Sequence, residues 1–117
     1  MKIGVVGSRG FNNYKLLKDT LDKYLSEATV IVSGGAKGAD SLGERWANEN
    51  GLETLIHLPN WDKHGKSAGF LRNYKIIEDS NIIIAFWDGL SRGTEHTIYN
   101  ARAEDKEVII VYFNKVI

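Results

Sequence analysis

Three short stretches gather the residues of this chain that could do chemistry: GSRGF at 7–11, SGGAKGAD at 33–40 and WDGLSRGTEHT at 87–97. A phosphate needs several N–H donors converging from one side. Glycines let the main chain approach closely, and the start of a helix leaves such donors unpaired. Ser33, Gly34, Gly35, Lys37, Gly38 and Asp40 meet this requirement in the second stretch, where Lys37 adds a point charge. The competing reading of the same residues is a tight strand-to-helix turn. In the first stretch Gly7, Ser8 and Arg9 offer a close backbone, a hydroxyl and a planar fork for phosphate or carboxylate, against the alternative of an exposed turn arginine. In the third, Asp88, Ser91, Gly93, Thr94 and Thr97 bring hydroxyls and N–H groups to the start of a helix. Glu95 is either a first-turn acid that stabilises the helix dipole or a general acid/base beside a bound sugar. Trp61, Trp87 and Tyr14 present faces on which a base could stack, although Trp87 could equally close a strand end.

Familiar loop patterns fit poorly. SGGAKG has serine where a dinucleotide fingerprint has its first glycine, and no acid ends the strand before it to take a ribose hydroxyl. NWDKHGKS, at 60–67, ends like a phosphate-binding Walker loop but has Asn60 in place of the leading glycine. Ser67 is therefore expected to cap a helix, with Gly65 and Lys66 as solvated loop residues.

The elements that must position these loops alternate. KIGVVG (2–7), TVIVSGG (29–35), ETLIHL (53–58), NIIIAF (81–86) and EVIIVYF (107–113) read as strands. Between them, apolar residues at helical spacing predict four helices: Leu17, Leu21, Tyr24 and Leu25; then Ala39, Leu42, Trp46 and Ala47, ended by Gly51; then Phe70, Tyr74 and Ile77; and finally Thr94 to Asp105. Strands apolar on both faces and separated by helices predict a five-stranded parallel sheet covered on both sides, a doubly wound, Rossmann-like α/β fold. Ligands of such sheets bind beyond the carboxyl ends of the strands, where the winding reverses. The order 3-2-1-4-5 makes strands one, two and four neighbours and brings the three loops together.

The 117 residues suit one domain spanning 1–117, which buries roughly two thirds of its unfolded surface. Fifteen basic residues balance fifteen acidic ones, which argues against nucleic acid as a partner and against an anionic membrane. Without cysteine, and with His57, His64 and His96 scattered, no metal site is expected. No cofactor is expected either. No apolar run approaches about 18 residues and the first residues do not read as a signal peptide, so a cytoplasmic location is expected.

Together, GSR after strand one, SGGAKGAD after strand two, RN at Arg72 and Asn73, and DGLSRGTEHT after strand four resemble the SLOG superfamily, named for DNA-processing protein A and the Lonely guy phosphoribohydrolases. The likeness is greatest to its small stand-alone bacterial and phage branch. The resemblance implies a fold that binds nucleotides or nucleotide-derived molecules at these loops. It implies that Gly34, Gly35, Lys37 and Gly38 form one side of a pocket, Ser91, Gly93 and Thr94 a phosphate-holding side, and Ser8 and Arg9 the floor. Arg72, otherwise a solvated helix residue, becomes ligand-facing by the same analogy. Relatives pair into dimers, so a homodimer or higher homo-oligomer is implied.

The departures bear on catalysis. Lonely guy hydrolases place a catalytic glutamate where this chain has Thr97. Glu95 is two residues away, which turns a helical side chain by about 200°. The expectation is therefore a non-catalytic binder of an ADP-ribose-like or cyclic nucleotide signal, acting as a sensor or as a sequestering protein such as a phage sponge for a host immune signal. The alternatives are a nucleotide phosphoribohydrolase or nucleosidase, with Glu95 catalytic, and a single-stranded DNA binder.

Overall fold

The β-branched runs pair as one parallel sheet of β1 (Lys2–Gly7), β2 (Val30–Ser33), β3 (Glu53–Ile56), β4 (Ile82–Trp87) and β5 (Glu107–Tyr112), in the order β3-β2-β1-β4-β5. The computed structural model describes residues 1–113, so the last four positions of the domain expected over 1–117 lie outside the described residues. The helices are α1 (Tyr14–Leu21), α2 (Ala39–Glu49), the single turn α3 (Trp61–His64), α4 (Ala68–Asp79) and α5 (Arg92–Ala103).

Alternation along the strands divides the core into two layers. Ile3, Val5, Ile31, Ile82, Ile84 and Phe86 pack with Leu17 and Leu21 of α1 and Trp46 of α2 on one face. Val6, Val32, Ile83 and Ala85 meet Ile76 and Ile77 of α4 and Ile98 and Ala101 of α5 on the other. Burying both faces of the central strands requires helices on both sides, and the order 3-2-1-4-5 reverses the winding between β1 and β4. Gly7 of β1 pairs with Phe86 of β4, so both chains leave the sheet at the same level.

Helix limits follow local chemistry. Asn13 caps α1 by accepting from the Leu16 N–H at 3.0 Å, and Gly51, with φ of 68°, ends α2 in the left-handed region as expected. The stripe expected on the third helix is only partly right. Ile77 is buried, but Phe70 and Tyr74 are exposed, and Ala68, Asn73 and Ile76 take the inward face instead. Phe70 and Tyr74 pack against His96 of α5, at ring distances of 4.4 and 5.3 Å. The stretch expected as a plain loop holds α3, because the Asn60 side chain caps it by accepting from the Lys63 N–H at 3.1 Å. Ser67 stands at the start of α4 but makes no side-chain cap.

Candidate functional site

Ser8 joins the loops at the end of the sheet. Only 2% exposed, it donates its N–H to the Phe86 carbonyl at 3.0 Å, and its hydroxyl oxygen accepts from the Asp88 N–H at 3.2 Å. Its carbonyl accepts from Phe11 at 3.1 Å and from Ala39, the first residue of α2, at 3.4 Å. Gly38 lets α2 begin this close. Its φ is 80°, and a Cβ there would lie 2.5 Å from the Arg9 carbonyl oxygen.

The glycine loop after β2 is closed on its own aspartate. Asp40 is 5% exposed, and its Oδ2 accepts from the N–H groups of Gly34 at 3.0 Å and Ala36 at 3.3 Å. Two donors that could have faced a phosphate are thus spent on an internal anion. Burial pushes the Asp40 carboxyl up to about 6, against the pull of those N–H groups and of Arg72 nearby. Ser33 is buried behind the loop and donates its hydroxyl to Glu44 at 2.5 Å.

Arg72 of α4 spans the two sides of the sheet end. Its Nη1 donates to the carbonyls of Gly34 at 2.5 Å and His57 at 3.4 Å, while its Nε donates to Asn73 Oδ1 at 3.0 Å. Asn73 in turn donates from Nδ2 to the Gly93 carbonyl at 3.3 Å, in the first turn of α5. The RN pair therefore ties the second loop to the fourth. A Cβ on Gly34 would lie 2.7 Å from Arg72 Cζ, so only glycine admits the guanidinium here.

Asp88 organises the fourth loop. Its Oδ1 accepts from the N–H groups of Leu90 at 2.8 Å and Ser91 at 2.9 Å, which holds its carboxyl below the usual range. Ser91 makes no side-chain cap on α5, so it leaves the first-turn N–H groups of that helix open. Thr94 Oγ1 lies 3.2 Å from Ser91 Oγ, and Thr97 donates its hydroxyl to the Gly93 carbonyl at 3.2 Å.

These elements enclose a cleft of about 510 Å³. Of the residues expected from the sequence it brings together Gly7, Ser8, Arg9, Asp40, Arg72, Asn73, Asp88, Ser91, Gly93, Thr94 and Thr97. Ser33, Gly34, Gly35, Lys37 and Gly38 stand behind it or to one side, because Asp40 turns the glycine loop inward on itself. Trp87 also lies outside. It donates its indole N–H to the Ser91 carbonyl at 3.1 Å and packs near Tyr112, closing the strand end. Tyr14 is held elsewhere, bonded to Glu49 with the Arg45 guanidinium 3.8 Å above its ring. Glu95 lines a separate groove with Phe70, Arg92, His96, Tyr99 and Asn100, because the helical turn that sends Thr97 into the cleft sends Glu95 out of it.

Sequence reasoning missed most of the far wall. Lys66, Gly69 and Phe70 line the cleft beside Trp61, which was expected as a stacking face and which, 52% exposed, faces the cleft from α3. Lys66 is exposed, as expected of a solvated residue, but the capped turn of α3 folds its segment back over the sheet end so that it also lines the cleft. The GKS at 65–67 was the available signal. The cleft thus combines three cations, Arg9, Lys66 and Arg72, and two carboxyl groups, Asp40 and Asp88, with aromatic and aliphatic surface from Trp61, Phe70, Val6 and Ile76. Such a cleft can take a ligand that joins an anion to a flat, partly apolar group. Among the described residues no His, Asp and Glu cluster stands ready to hold a metal ion, and no helix is long and apolar enough to cross a membrane.

The model of the YspA, cpYpsA-related SLOG family matches residues 1–64, more than half of the chain. The Gene 61 protein of Mycobacterium phage D29 is 32% identical over an alignment covering 92% of this chain and 94% of that protein. DNA processing protein A from Streptococcus pneumoniae superposes with a TM-score of 0.81 at 22% identity, over 98% of this chain but only 51% of its own. The protein of the same name from Helicobacter pylori gives 0.75 at 22%, over 98% and 66%. Identities this low bear on the fold, and this chain spans about half and two thirds of those two lengths. The Helicobacter pylori structure is described as showing a unique single-stranded DNA binding mode. That finding overturns the exclusion of nucleic acid drawn from the balanced charge. Net charge averages the whole surface, whereas one cleft here gathers three cations against two carboxyl groups, both of which are held by backbone N–H groups.

Proposed function

As the chain belongs to the YspA, cpYpsA-related SLOG family, we propose that it binds a small nucleotide-derived ligand in the cleft beyond the carboxyl ends of β1, β2 and β4. One observation carries this reading. Arg9, Lys66, Arg72 and the open first turn of α5 converge on the same cavity as the faces of Trp61 and Phe70. Phosphate oxygens pair with the cations and N–H groups, and the base stacks on the aromatic side. An ADP-ribose-like or cyclic nucleotide suits a cleft of about 510 Å³.

The ligand is held and not cleaved. Thr97 is a poor general acid or base, and Glu95 faces another groove. Binding without turnover suits a sensor or a protein that sequesters a signal, and a relative encoded by a phage is in keeping with the second role. Calorimetry against a panel of nucleotides, followed by chromatography of the recovered ligand, tests both parts. Intact ligand is expected. Recovery of free base would overturn binding without cleavage, and heat from no member of the panel would overturn the nucleotide reading.

A second reading, single-stranded DNA, is supported by the exposed Trp61 and Phe70 beside Lys66 and Arg9. It expects an oligonucleotide to bind with a steep salt dependence. No anisotropy change with labelled oligonucleotides at low salt would remove it.

A further inference from the structure

His96 of α5 lines the separate groove and reaches the cleft only through Asn73, and its bonding partners decide which of its ring nitrogens carries the proton. Arg72 Nε can only donate, so the atom of Asn73 that receives it at 3.0 Å is the amide oxygen. The amide nitrogen of Asn73 is then the atom that faces the Gly93 carbonyl at 3.3 Å and His96 Nδ1 at 3.4 Å. A carbonyl and an amide NH₂ leave no choice at Nδ1: it must accept, and the neutral ring carries its proton on Nε2. Packing holds the ring in that position, with Phe70 stacked at 4.4 Å and Tyr74 edge-on at 5.3 Å.

We propose that His96 is a positioning residue of the cleft: as the neutral Nε2–H form it holds Asn73 where it ties Arg72 to the first turn of α5, and a proton on Nδ1 releases that tie. The protonated ring sets N–H against N–H. Asn73 must then turn or withdraw, and either movement disturbs its bonds to Arg72 and Gly93, which both line the cleft.

The charged and titratable groups around the ring are Arg92, Glu95 and Tyr99 on its own helix, and Tyr74 with Arg72, one residue removed through Asn73, on α4. The strands under α5 present apolar side chains. Burial disfavours the charged ring and moves its titration below the ordinary histidine value, so at neutral pH the tie is made. Its consequence for a ligand rests on the nucleotide reading of the cleft, where apparent affinity should fall by at most about tenfold per pH unit below the His96 midpoint. The proton linkage itself belongs to the free protein, so the two stand or fall separately.

The test is a pH titration of the free, unsubstituted chain by ¹H–¹⁵N NMR, following the His96 ring nitrogens, the Arg72 Nε–H and the amides of Gly93 and Thr94. The expected result is an unprotonated Nδ1 at neutral pH and a shift of all these signals at one midpoint. In His96→Asn, whose amide oxygen can stand in for Nδ1 and cannot be protonated in this range, the titration at Arg72 and Gly93 should vanish. Asn73→Ala should raise the His96 midpoint, because the bond that favours the neutral ring is gone. A proton on Nδ1 in the neutral ring, or Arg72 and Gly93 signals that ignore the His96 midpoint, would overturn the proposal.

Discussion

A carboxylate that sits on two loop N–H groups, nearly closed off from water, answers to pH differently from one in solvent. Folded Asp40 holds its proton up to about pH 6, whereas the unfolded chain releases it near 3.8. Between those values the folded state binds more protons, so this group's contribution to stability falls as pH rises. Above the window the ionised form costs up to about 3 kcal/mol. Asp40→Asn keeps an amide oxygen to accept from Gly34 and Ala36 and removes the titration. Urea unfolding at a pH below and a pH above the window should show a smaller loss for the variant than for the unsubstituted chain, and equal losses would rule out a raised Asp40. Asp22, Glu49 and Asp88 titrate low and act oppositely, but identically in both proteins. In place of Arg72, a lysine keeps the charge but cannot reach the Gly34 carbonyl and Asn73 Oδ1 together, so Arg72→Lys should lose about 1–3 kcal/mol in the same unfolding measurement. Little or no loss would show that the guanidinium fork is dispensable to the fold.

At the scale of elements, α2 and α5 start at the same end of the sheet, yet they are equipped differently. Neither has a side-chain cap and each carries a first-turn acid, but Asp40 of α2 turns back onto the loop N–H groups of Gly34 and Ala36 while Glu95 of α5 faces a separate groove, and the first N–H of α2 is taken by the Ser8 carbonyl. On the proposed function, the anion-binding role moves from the glycine loop, which advertises it in the sequence, to the start of α5 and the cations of the cleft. The glycines serve close approach instead. Gly38→Ala would combine a left-handed φ with a Cβ against the Ser8 and Arg9 carbonyls. It should cost more than about 1 kcal/mol and lower the melting temperature by several degrees. An unchanged melt would mean that the junction of β1 and α2 yields easily.

Across the whole molecule the charges cancel, and no broad field gathers ligands. On the proposed function recognition is local, and a bound anion should feel Arg9 and Lys66 more than the rest of the surface. A ligand present at about one hundred times its Kd adds about 2.7 kcal/mol to the folded state, a rise of several degrees in Tm for a chain of this length. The double variant Arg9→Ala, Lys66→Ala should keep the ligand-free melting temperature nearly unchanged and lose most of that rise. A full rise in the double variant would place the ligand elsewhere.

The strands, the strand order and the helices on both faces were legible because each rests on short-range chemistry. Runs such as NIIIAF and EVIIVYF have no polar face to expose, Gly51 ends a helix by its own backbone, and the three loop motifs require strands one, two and four to adjoin. The residues lining the cleft were half legible for the same reason: Ser8, Arg9, Ser91 and Thr94 follow directly from strand ends. Tertiary structure alone decided that Asp40 fills the glycine loop, that Phe70 turns outward toward His96, and that Trp61 and Lys66 fold back as the far wall. Phe70 meets His96 only across the fold, and although the partners of Asp40 stand close to it in the chain, only the folded loop decides which way the carboxyl turns, because composition and spacing carry no record of distance or direction.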